Sequence, residues 1–446
     1  MSAPNSKWSE KQRAAADAAT RYVSLDRLRE LVVGITDVPS PTGDERPLAE
    51  FITAGLCSLG ISAETQPLDE RQANAVARLR GIGDGAHLML YAPIDTLTTG
   101  NPDEDLPWMA EHMPLDALPT ARIVGDHVIG LGASNPKGHA ACILMAAEAV
   151  HRARLTLLGD LILAFGAGGM PTNAREGAPG GRRNTGQGVG CSFLLEQGTY
   201  PDYAVIAKTG WAASAEEVGL CWFDFRVSGT HTYVGSRHLM PYRNAIADAG
   251  QVISRLERWF EDYAARHDTG TIRPQGIVGA IRGGWPRMAA VTPDSCWFRV
   301  DLRIGPDTTP GDARREVEAF LETLHDDLPD VTVSLDMVLS IPGSSTSPDN
   351  WVVRSAVAAW ERLEGRVHSA PQATSGATDA NILRGHGVPT VRLGMPKVAD
   401  PQLVSGFRQG MNTVDVRAME KLTRALIEVI VDTTMRTWDS VSGVSA

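Results

Sequence analysis

Short apolar segments alternate with amphipathic helical segments in the first half of the chain, and this alternation limits the fold more than any other feature. Residues 88–92, 161–165 and 203–207 are apolar runs, each followed by turn-forming or polar residues. Helical periodicity covers residues 8–34 and about 45–59. Buried strands that alternate with helices are typical of a parallel sheet covered by helices. The sequence therefore predicts an α/β fold with a mostly parallel central sheet and flanking helices.

A different pattern begins near residue 217. Segments 220–227 and 295–303 alternate between apolar and polar residues, as half-exposed strands do, and 331–335 is a third strand candidate. Helical segments over about 244–265 and 312–324 lie between them. This β-α-β-β-α-β order predicts a small α+β domain inserted into the larger one.

The domain boundaries follow from these two patterns. A chain of 446 residues is long enough for two or three domains of ordinary size. We expect residues 1–216 and 338–446 to form the two parts of the α/β domain. Residues 217–337 would form the inserted domain.

Composition excludes several classes of protein. The net charge of -11 argues against a nucleic-acid surface, and no apolar run is long enough for a membrane span. The polar start of the chain lacks the apolar core of a signal peptide. The five cysteines are odd in number and never spaced C-x-x-C, which suits buried thiols in a reducing compartment. We expect a cytoplasmic protein that binds neither nucleic acid nor membrane.

Several motifs carry a resemblance to a known family. They are PTGDERPLA at 41–49, NAVARL at 74–79, Asp95 at a strand end, GASNPKG at 132–138, SGATDA at 375–380 and GVPTV at 387–391. In this order and spacing they resemble the M20 metallopeptidases and amidohydrolases, such as acetylornithine deacetylase and succinyl-diaminopimelate desuccinylase. The resemblance implies a zinc-exopeptidase-like α/β domain, a ferredoxin-like inserted lid that often dimerises, and a site at their junction.

The resemblance also implies a two-zinc site, yet this chain lacks its ligands. Pro93 stands at the position of the first His, and Asn135 at that of the bridging Asp. The family has two adjacent acidic residues where this chain reads Gly166–Met170, and a further acidic ligand where Lys208 stands. Its last ligand is a His near the end of the chain, and residues 408–411 contain none. Pro and neutral Asn are poor zinc ligands, and a nearby cation opposes Zn²⁺ binding. We therefore expect no metal and no other cofactor.

Four residues of the α/β domain are candidates for the site. Lys208 could replace zinc electrostatically by binding a carboxylate or an oxyanion, or it is a plain lysine at a strand end. Asp95 is expected to pair with Lys208, to act as a base, or to be a turn residue. Asn135 is predicted to cap a helix that begins with Pro136, whose free N–H groups, with Lys137 beside them, could hold an anion.

Further candidates lie in the inserted domain and near the end of the chain. The family places a carbonyl-polarising His in the lid, and the spacing leaves open whether His231 or His238 has that role. Arg237 and Asn244 are predicted to bind a carboxylate or an amide of the substrate. Ser375 and Gly376 match a turn that contacts substrate in the family.

The leading hypothesis is a metal-independent hydrolase-like enzyme on the M20 fold. It would cleave a C–N bond, in an amide or a cyclic amide, of a small carboxylate-bearing substrate, and it would form a homodimer through the lid. One alternative is a catalytically silent ligand-binding or regulatory protein. Another is a zinc amidohydrolase with relocated ligands, for which Asp126, His127 and His139 are the nearest cluster.

Overall fold

The computed structural model describes residues 8–109, 111–172, 186–398, 400, 402–403 and 410–442. The chain divides into two compact units. The first comprises Met1–Ala215, Thr346–Ala370 and Thr378–Ala446, and the second comprises Glu216–Ser345 and Pro371–Ala377.

The first unit begins with two helices where the sequence shows one periodic stretch. Ser9 and Ser24 each cap a helix, because their hydroxyl groups accept the backbone N–H groups of Gln12 and Arg27. The elements of this part are α1 (Glu10–Thr20), α2 (Leu25–Thr36), α3 (Arg46–Ser58), β1 (Ser62–Pro67), β2 (Ala73–Leu79), β3 (Leu88–Pro93), α4 (Pro102–Met109), β4 (Arg122–Val124), β5 (His127–Ile129), α5 (Lys137–Arg152), β6 (Leu161–Gly166), α6 (Val189–Glu196) and β7 (Tyr203–Ala207).

The second unit is a four-stranded antiparallel sheet with two helices. Its elements are β8 (Glu216–Glu217), β9 (Gly219–Ser228), β10 (Thr232–Tyr233), α7 (Ala245–Arg266), β11 (Gly276–Gly283), β12 (Val291–Thr292), β13 (Ser295–Ile304), α8 (Pro310–Asp327), β14 (Val333–Ile341) and β15 (Ser344–Ser345). The sheet order is β11-β13-β9-β14, and alternate residues of β9 and β13 pack into one apolar core with α7 and α8. The predicted α+β inserted fold is confirmed.

The chain then completes the first unit. The remaining elements are α9 (Trp351–Glu364), α10 (Ala380–Gly385), β16 (Thr390–Leu393), β17 (Thr413–Asp415), α11 (Val416–Thr434) and α12 (Trp438–Ser442). The main sheet has the order β1-β2-β6-β3-β7-β16. Strands β6, β3, β7 and β16 run parallel, whereas β1 and β2 are antiparallel additions at one edge. The predicted mostly parallel sheet is confirmed.

Burial explains why these strands are apolar throughout. Every residue of β3, β6 and β7 is buried, as expected for strands covered on both faces. Helix α5 is also buried on nearly all sides and packs against α2 and α11. Four of the five cysteines are buried thiols and Cys57 is exposed. Within the described ranges, no helix is both long and apolar enough to cross a membrane.

Candidate functional site

The candidate site lies at the carboxyl edge of the parallel strands of the first unit. Asp95 follows β3, the turn Ala167–Met170 follows β6, Lys208 follows β7 and Gly394 follows β16. The carboxyl ends of neighbouring parallel strands meet at one edge of a sheet, where α/β proteins bind their ligands. We call this region the strand-edge site, and the segment Ala167–Met170 the β6 turn.

The β6 turn directs four consecutive backbone N–H groups at side chains of the protein itself. The donors and acceptors are Ala167 to Asn74 Oδ1 at 3.0 Å, Gly168 to Glu45 Oε1 at 2.9 Å, Gly169 to Asp95 Oδ1 at 2.9 Å and Met170 to Asp95 Oδ2 at 2.9 Å. Successive N–H groups of this kind form a concave anion-binding nest. Here the nest is filled by internal carboxyl and amide oxygens, at the place where the resemblance implies the acid pair.

Asp95 is a buried brace for this turn. Its side chain is 0% exposed, and Oδ2 also accepts the Thr42 hydroxyl at 2.7 Å. Burial raises the pKa of Asp95, while the Thr42 hydrogen bond, the positive charge of Lys208 and the turn N–H groups oppose that rise. No salt bridge joins Asp95 to Lys208 in the described part of the chain, so their predicted pairing stays a prediction. The role of Asp95 as a base stays a prediction, because three protein donors already occupy its oxygens.

Glu45 is a member of the site that sequence analysis missed. Its Oε1 accepts the N–H groups of Gly43 and Gly168 at 3.0 and 2.9 Å. Its Oε2 is buried beside Gln72 and makes no hydrogen bond of ordinary geometry with a described residue. Burial and the charge of Asp95 raise the pKa of Glu45 to about 8, so the group is mostly protonated at neutral pH. The available signal was its position in the 41–49 motif, just before a helix.

Pro93 and Gly169 pack together where the resemblance implies the first zinc-binding His. A Cβ atom on Gly169 would lie 2.4 Å from Pro93 Cβ, 3.1 Å from Asp379 Oδ2 and 3.2 Å from Asp95 Oδ1. Gly169 thus separates two buried carboxyl groups. Asp379 also accepts the Tyr91 hydroxyl at 2.7 Å. Asp379 braces this region.

Lys208 provides a positive charge at the strand-edge site. It is partly exposed, and it makes no hydrogen bond or ion pair with any residue in the described ranges. His139 lies nearby and is fully buried, with Nδ1 2.8 Å from the Ser134 carbonyl and Nε2 3.4 Å from the Met395 N. Burial is the main reason that the pKa of His139 falls to about 3, and Lys208 lowers it further. His139 is therefore a neutral core histidine.

The prediction that Asn135 caps a helix is wrong. Helix α5 begins at Lys137, Pro136 holds the cap position, and no side chain caps the helix. The Asn135 backbone N–H donates to the Met411 carbonyl at 2.9 Å. Its Oδ1 is buried and makes no hydrogen bond within the described part of the chain.

Lys137 binds backbone carbonyl groups. Its side chain is 1% exposed, and Nζ donates to the carbonyls of Val38 and Thr36 at 2.8 and 3.3 Å. Burial lowers the pKa of Lys137 to about 7. These contacts hold the end of α2, and they do not favour the predicted role of Lys137 in binding substrate.

The two lid histidines differ in how they are held within the second unit. His231 is exposed, and its Nδ1 lies 2.8 Å from the Thr292 carbonyl. A carbonyl only accepts, so Nδ1 carries the proton and Nε2 of the neutral ring is left as an acceptor. His238 is exposed and makes no hydrogen bond with a described residue. The contacts therefore favour His231 for a proton-accepting role.

The other predicted residues of the second unit have structural contacts. Asn244 caps α7, because its Oδ1 accepts the N–H groups of Ile246 and Ala247 at 3.0 and 3.4 Å. The guanidinium of Arg237 lies 4.8 Å from the centre of the Tyr242 ring. The predicted substrate contacts of both residues stay predictions.

Ser375 and Gly376 belong to the segment Pro371–Ala377 of the second unit. Gly376 is exposed, whereas Ser375 Oγ is buried and has no hydrogen-bond partner among the residues that the structure describes. Their predicted contact with substrate also stays a prediction.

The side chains present do not fit a zinc pair. The strand-edge site offers a proline, a neutral carboxamide and a cation where the resemblance implies ligands, and its acids already bind N–H groups. Among the described residues, no group of three or more His, Cys, Asp or Glu side chains is placed to hold a metal ion. The alternative cluster is not formed, because Asp126 pairs with Arg417 at 2.7 Å and His139 is enclosed. Arg408 and Gln409, at the late His position, lie outside the described residues.

The α/β unit and the inserted four-stranded unit together define the fold of the M20 peptidases and amidohydrolases. Human carnosine dipeptidase 1 has this fold, with a TM-score of 0.69 and 13% identity over 95% of this chain and 99% of that chain. The YXEP protein of Bacillus subtilis, a dinuclear metal-binding peptidase of the M20 family, has a TM-score of 0.58 and 15% identity over 92% and 98%. The predicted resemblance is confirmed.

A curated relative adds a sequence comparison. The chain is 25% identical over 323 residues to the N-formyl-4-amino-5-aminomethyl-2-methylpyrimidine deformylase of Bacillus subtilis strain 168, which is 68% of each protein. No family model matches the chain.

Proposed function

We propose that this protein is a hydrolase of the peptidase and amidohydrolase type that cleaves a C–N bond of a small acyl compound without a two-zinc centre. The observation that carries the proposal is Lys208. Its ammonium follows a parallel strand at the carboxyl edge of the sheet, and no acidic side chain of the described ranges pairs with it. A cation left unpaired at this edge is available to an anionic or carbonyl group of a ligand.

Lys208 would act by stabilising negative charge. When water attacks an amide carbonyl, the oxygen becomes an oxyanion, and an ammonium held beside it lowers the barrier. In the resting protein the same charge would attract a substrate carboxylate, which agrees with the small carboxylate-bearing substrate that we expect. Asp95 and Glu45 would support this site as internal braces, because their oxygens hold the β6 turn.

His231 stays our first candidate for a base, because the Thr292 carbonyl holds the tautomer in which Nε2 is free to accept a proton. His238 is the second candidate. Arg237, Asn244, Ser375 and Gly376 remain proposed contacts of the substrate.

Two observations favour a second function, a catalytically silent binding protein. Both oxygens of Asp95 accept hydrogen bonds from the protein, and Glu45 is mostly protonated at neutral pH. Neither Asp95 nor Glu45 of the strand-edge site is therefore well suited to act as a base. A protein that binds an anionic acyl compound at Lys208 without turnover would have the same contacts.

A formyl assay in a chelator tests the proposal. The similarity to a deformylase makes N-formyl compounds, such as N-formylglycine, the first substrates to try, with formate release as the readout. We expect turnover after complete removal of divalent ions. Lys208→Met should lose about tenfold to a thousandfold in kcat/KM, and Lys208→Arg should lose less. Lys11→Met, on the exposed face of α1, is the matched control.

Three results would separate the hypotheses. Activity that is lost in chelator and restored by zinc would reject the proposal. Binding of N-formylglycine that depends on Lys208, with no formate released, would favour the silent binding protein. Equal activity of wild type and Lys208→Met would remove the role given to Lys208.

A further inference from the structure

A cleft of the first unit lies between α2, α3 and α5, apart from the strand-edge site. Its volume is about 160 Å³, and its lining is mostly apolar. Buried side chains of all three helices contribute to that lining, namely Ile35, Ile52, Leu56 and Leu144. Glu148, which also lines the cleft, lies about 16 Å along α5 from Lys137, at about 1.5 Å per residue. The cleft is therefore a separate feature of the unit.

Two glycines keep this cleft open. Gly34 of α2 and Gly55 of α3 both line it, and both lie within helices, where alanine is more stable than glycine. A Cβ atom on Gly55 would have no heavy atom of the described residues within 4 Å. A Cβ atom on Gly34 would lie 3.3 Å from Cζ of Phe51, a residue that is 47% exposed and lines the cleft. Neither glycine has a positive φ, so the open space, and not the backbone, is what these glycines preserve.

The charged side chains at the cleft already pair with one another. Glu148 is 2% exposed, and its oxygens bind Arg27 Nε at 3.0 Å and an Arg152 nitrogen at 2.7 Å. Arg27 also pairs with Glu30 at 3.2 Å. These two cations and two anions balance, so a charged ligand would lose its hydration without gaining a free partner. The cleft therefore favours a neutral ligand.

We propose that this cleft binds one small neutral aromatic ring, of about the size of phenol. Apolar cavities of about 150 Å³ hold one benzene ring, so the volume suits a single ring. Phe51 supplies an aromatic neighbour. Arg27, held by Glu30 and Glu148, supplies a cation that attracts the face of an aromatic ring. The inference does not depend on the proposed function, because none of these residues belongs to the strand-edge site.

The test measures the dissociation constants of phenol, cyclohexanol and benzoate by ligand-observed NMR at neutral pH. We expect the wild type to bind phenol about tenfold or more tightly than benzoate, whose charge has no free partner in the cleft. Phenol should also bind more tightly than cyclohexanol, which has a similar size but no aromatic face. Gly55→Leu places a side chain at the cleft and should abolish saturable binding of phenol. Phe51→Ala should weaken the binding of phenol about twofold to tenfold.

Gly250→Leu is the matched control. It makes the same change at an exposed helical glycine of α7, where no described atom lies within 4 Å of the Cβ position, and it should bind phenol as the wild type does. Thermal unfolding without ligand shows whether each variant is folded. Absence of saturable phenol binding to the wild type, or binding that both Gly55→Leu and Phe51→Ala leave unchanged, would overturn the inference. Binding of benzoate or cyclohexanol as tight as that of phenol would overturn it too.

Discussion

The carboxylate of Asp95 accepts a hydrogen bond from the backbone N–H of Gly169 at 2.9 Å, and this contact joins the end of β3 to the β6 turn. The resemblance to the M20 family implies that an aspartate at this position orients the first metal-binding His. Here Pro93 replaces that His and packs against Gly169. The backbone of the turn holds Asp95 in this protein, so the presence of this aspartate does not by itself indicate a zinc site.

Asp95→Asn should destabilise the protein strongly. The variant keeps one acceptor oxygen, and its amide group faces backbone N–H groups that then lack a partner. We expect the free energy of unfolding to fall by about 2–3 kcal/mol, measured by urea unfolding. Thr42→Val, which removes one donor to Asp95 and keeps the shape of the side chain, should cost about 1 kcal/mol. Equal stability of Asp95→Asn and wild type would contradict the bracing role.

Gly169→Ala tests the packing between the two buried carboxyl groups. The new methyl group would lie 2.4 Å from Pro93 Cβ, so the turn or β3 has to shift. We expect the free energy of unfolding to fall by about 1–3 kcal/mol. Gly250→Ala is the matched control, because no atom lies within 4 Å of its Cβ position in α7. The free energy of unfolding of that control should rise by about 0.5–1 kcal/mol, because alanine favours a helix more than glycine does. A change of the same sign in both variants would contradict close packing at Gly169.

Glu45 should make stability depend on pH. Its pKa is about 8 in the folded protein against an ordinary value of 4.5, so the folded state holds the proton more tightly. The protonated Glu45 therefore stabilises the folded protein fully below pH 4.5, and this stabilisation is lost as the pH rises towards about 8. The free energy of unfolding changes by about 1.4 kcal/mol per pH unit for one proton. The raised pKa of Asp95 acts in the same direction.

Glu45→Gln isolates this effect. Glutamine keeps the oxygen that accepts Gly43 and Gly168 but does not titrate. The stability of the wild type relative to Glu45→Gln should therefore fall between about pH 5 and about pH 8. Urea unfolding at several pH values measures the difference. A difference that rises or stays level over that range would show that Glu45 is ionised in the folded protein.

We propose that the protein forms a homodimer through β11 of the second unit. This strand pairs with β13 on one side, and no strand of the described chain pairs with its other edge. It exposes Ile277 and Ile281 at 58% and 57%, and open apolar edges of this kind favour association. Light scattering after size exclusion should give the mass of two chains, and Ile281→Lys should give one. Ile82→Lys, at a residue 77% exposed in the first unit, should leave the dimer intact.

The fold could be predicted closely because burial leaves a direct mark on sequence. The apolar runs at 88–92, 161–165 and 203–207 became β3, β6 and β7, each within one residue of its predicted end. The long periodic stretch at 8–34 was less informative. Its break depends on the cap at Ser24, which local periodicity does not reveal.

The site was harder to predict because its contacts join distant parts of the chain. Glu45 accepts a hydrogen bond from Gly168, 123 residues away in the sequence, and Asn74 accepts one from Ala167, 93 residues away. No local pattern indicates such a pairing. At Asn135 a local pattern was misleading, since an Asn-Pro pair is typical of a helix cap, yet Pro136 holds the cap position and no side chain caps α5.

The metal content of protein grown in zinc-rich medium decides whether the strand-edge site is free of metal. A lysine, a carboxamide and braced acids occupy the edge of the sheet where the resemblance implies a two-zinc site. Elemental analysis of the purified protein should therefore find no stoichiometric zinc or other divalent metal, and formate release should be the same with and without chelator. One or two tightly bound ions per chain, with activity that follows their removal and return, would contradict a metal-free site.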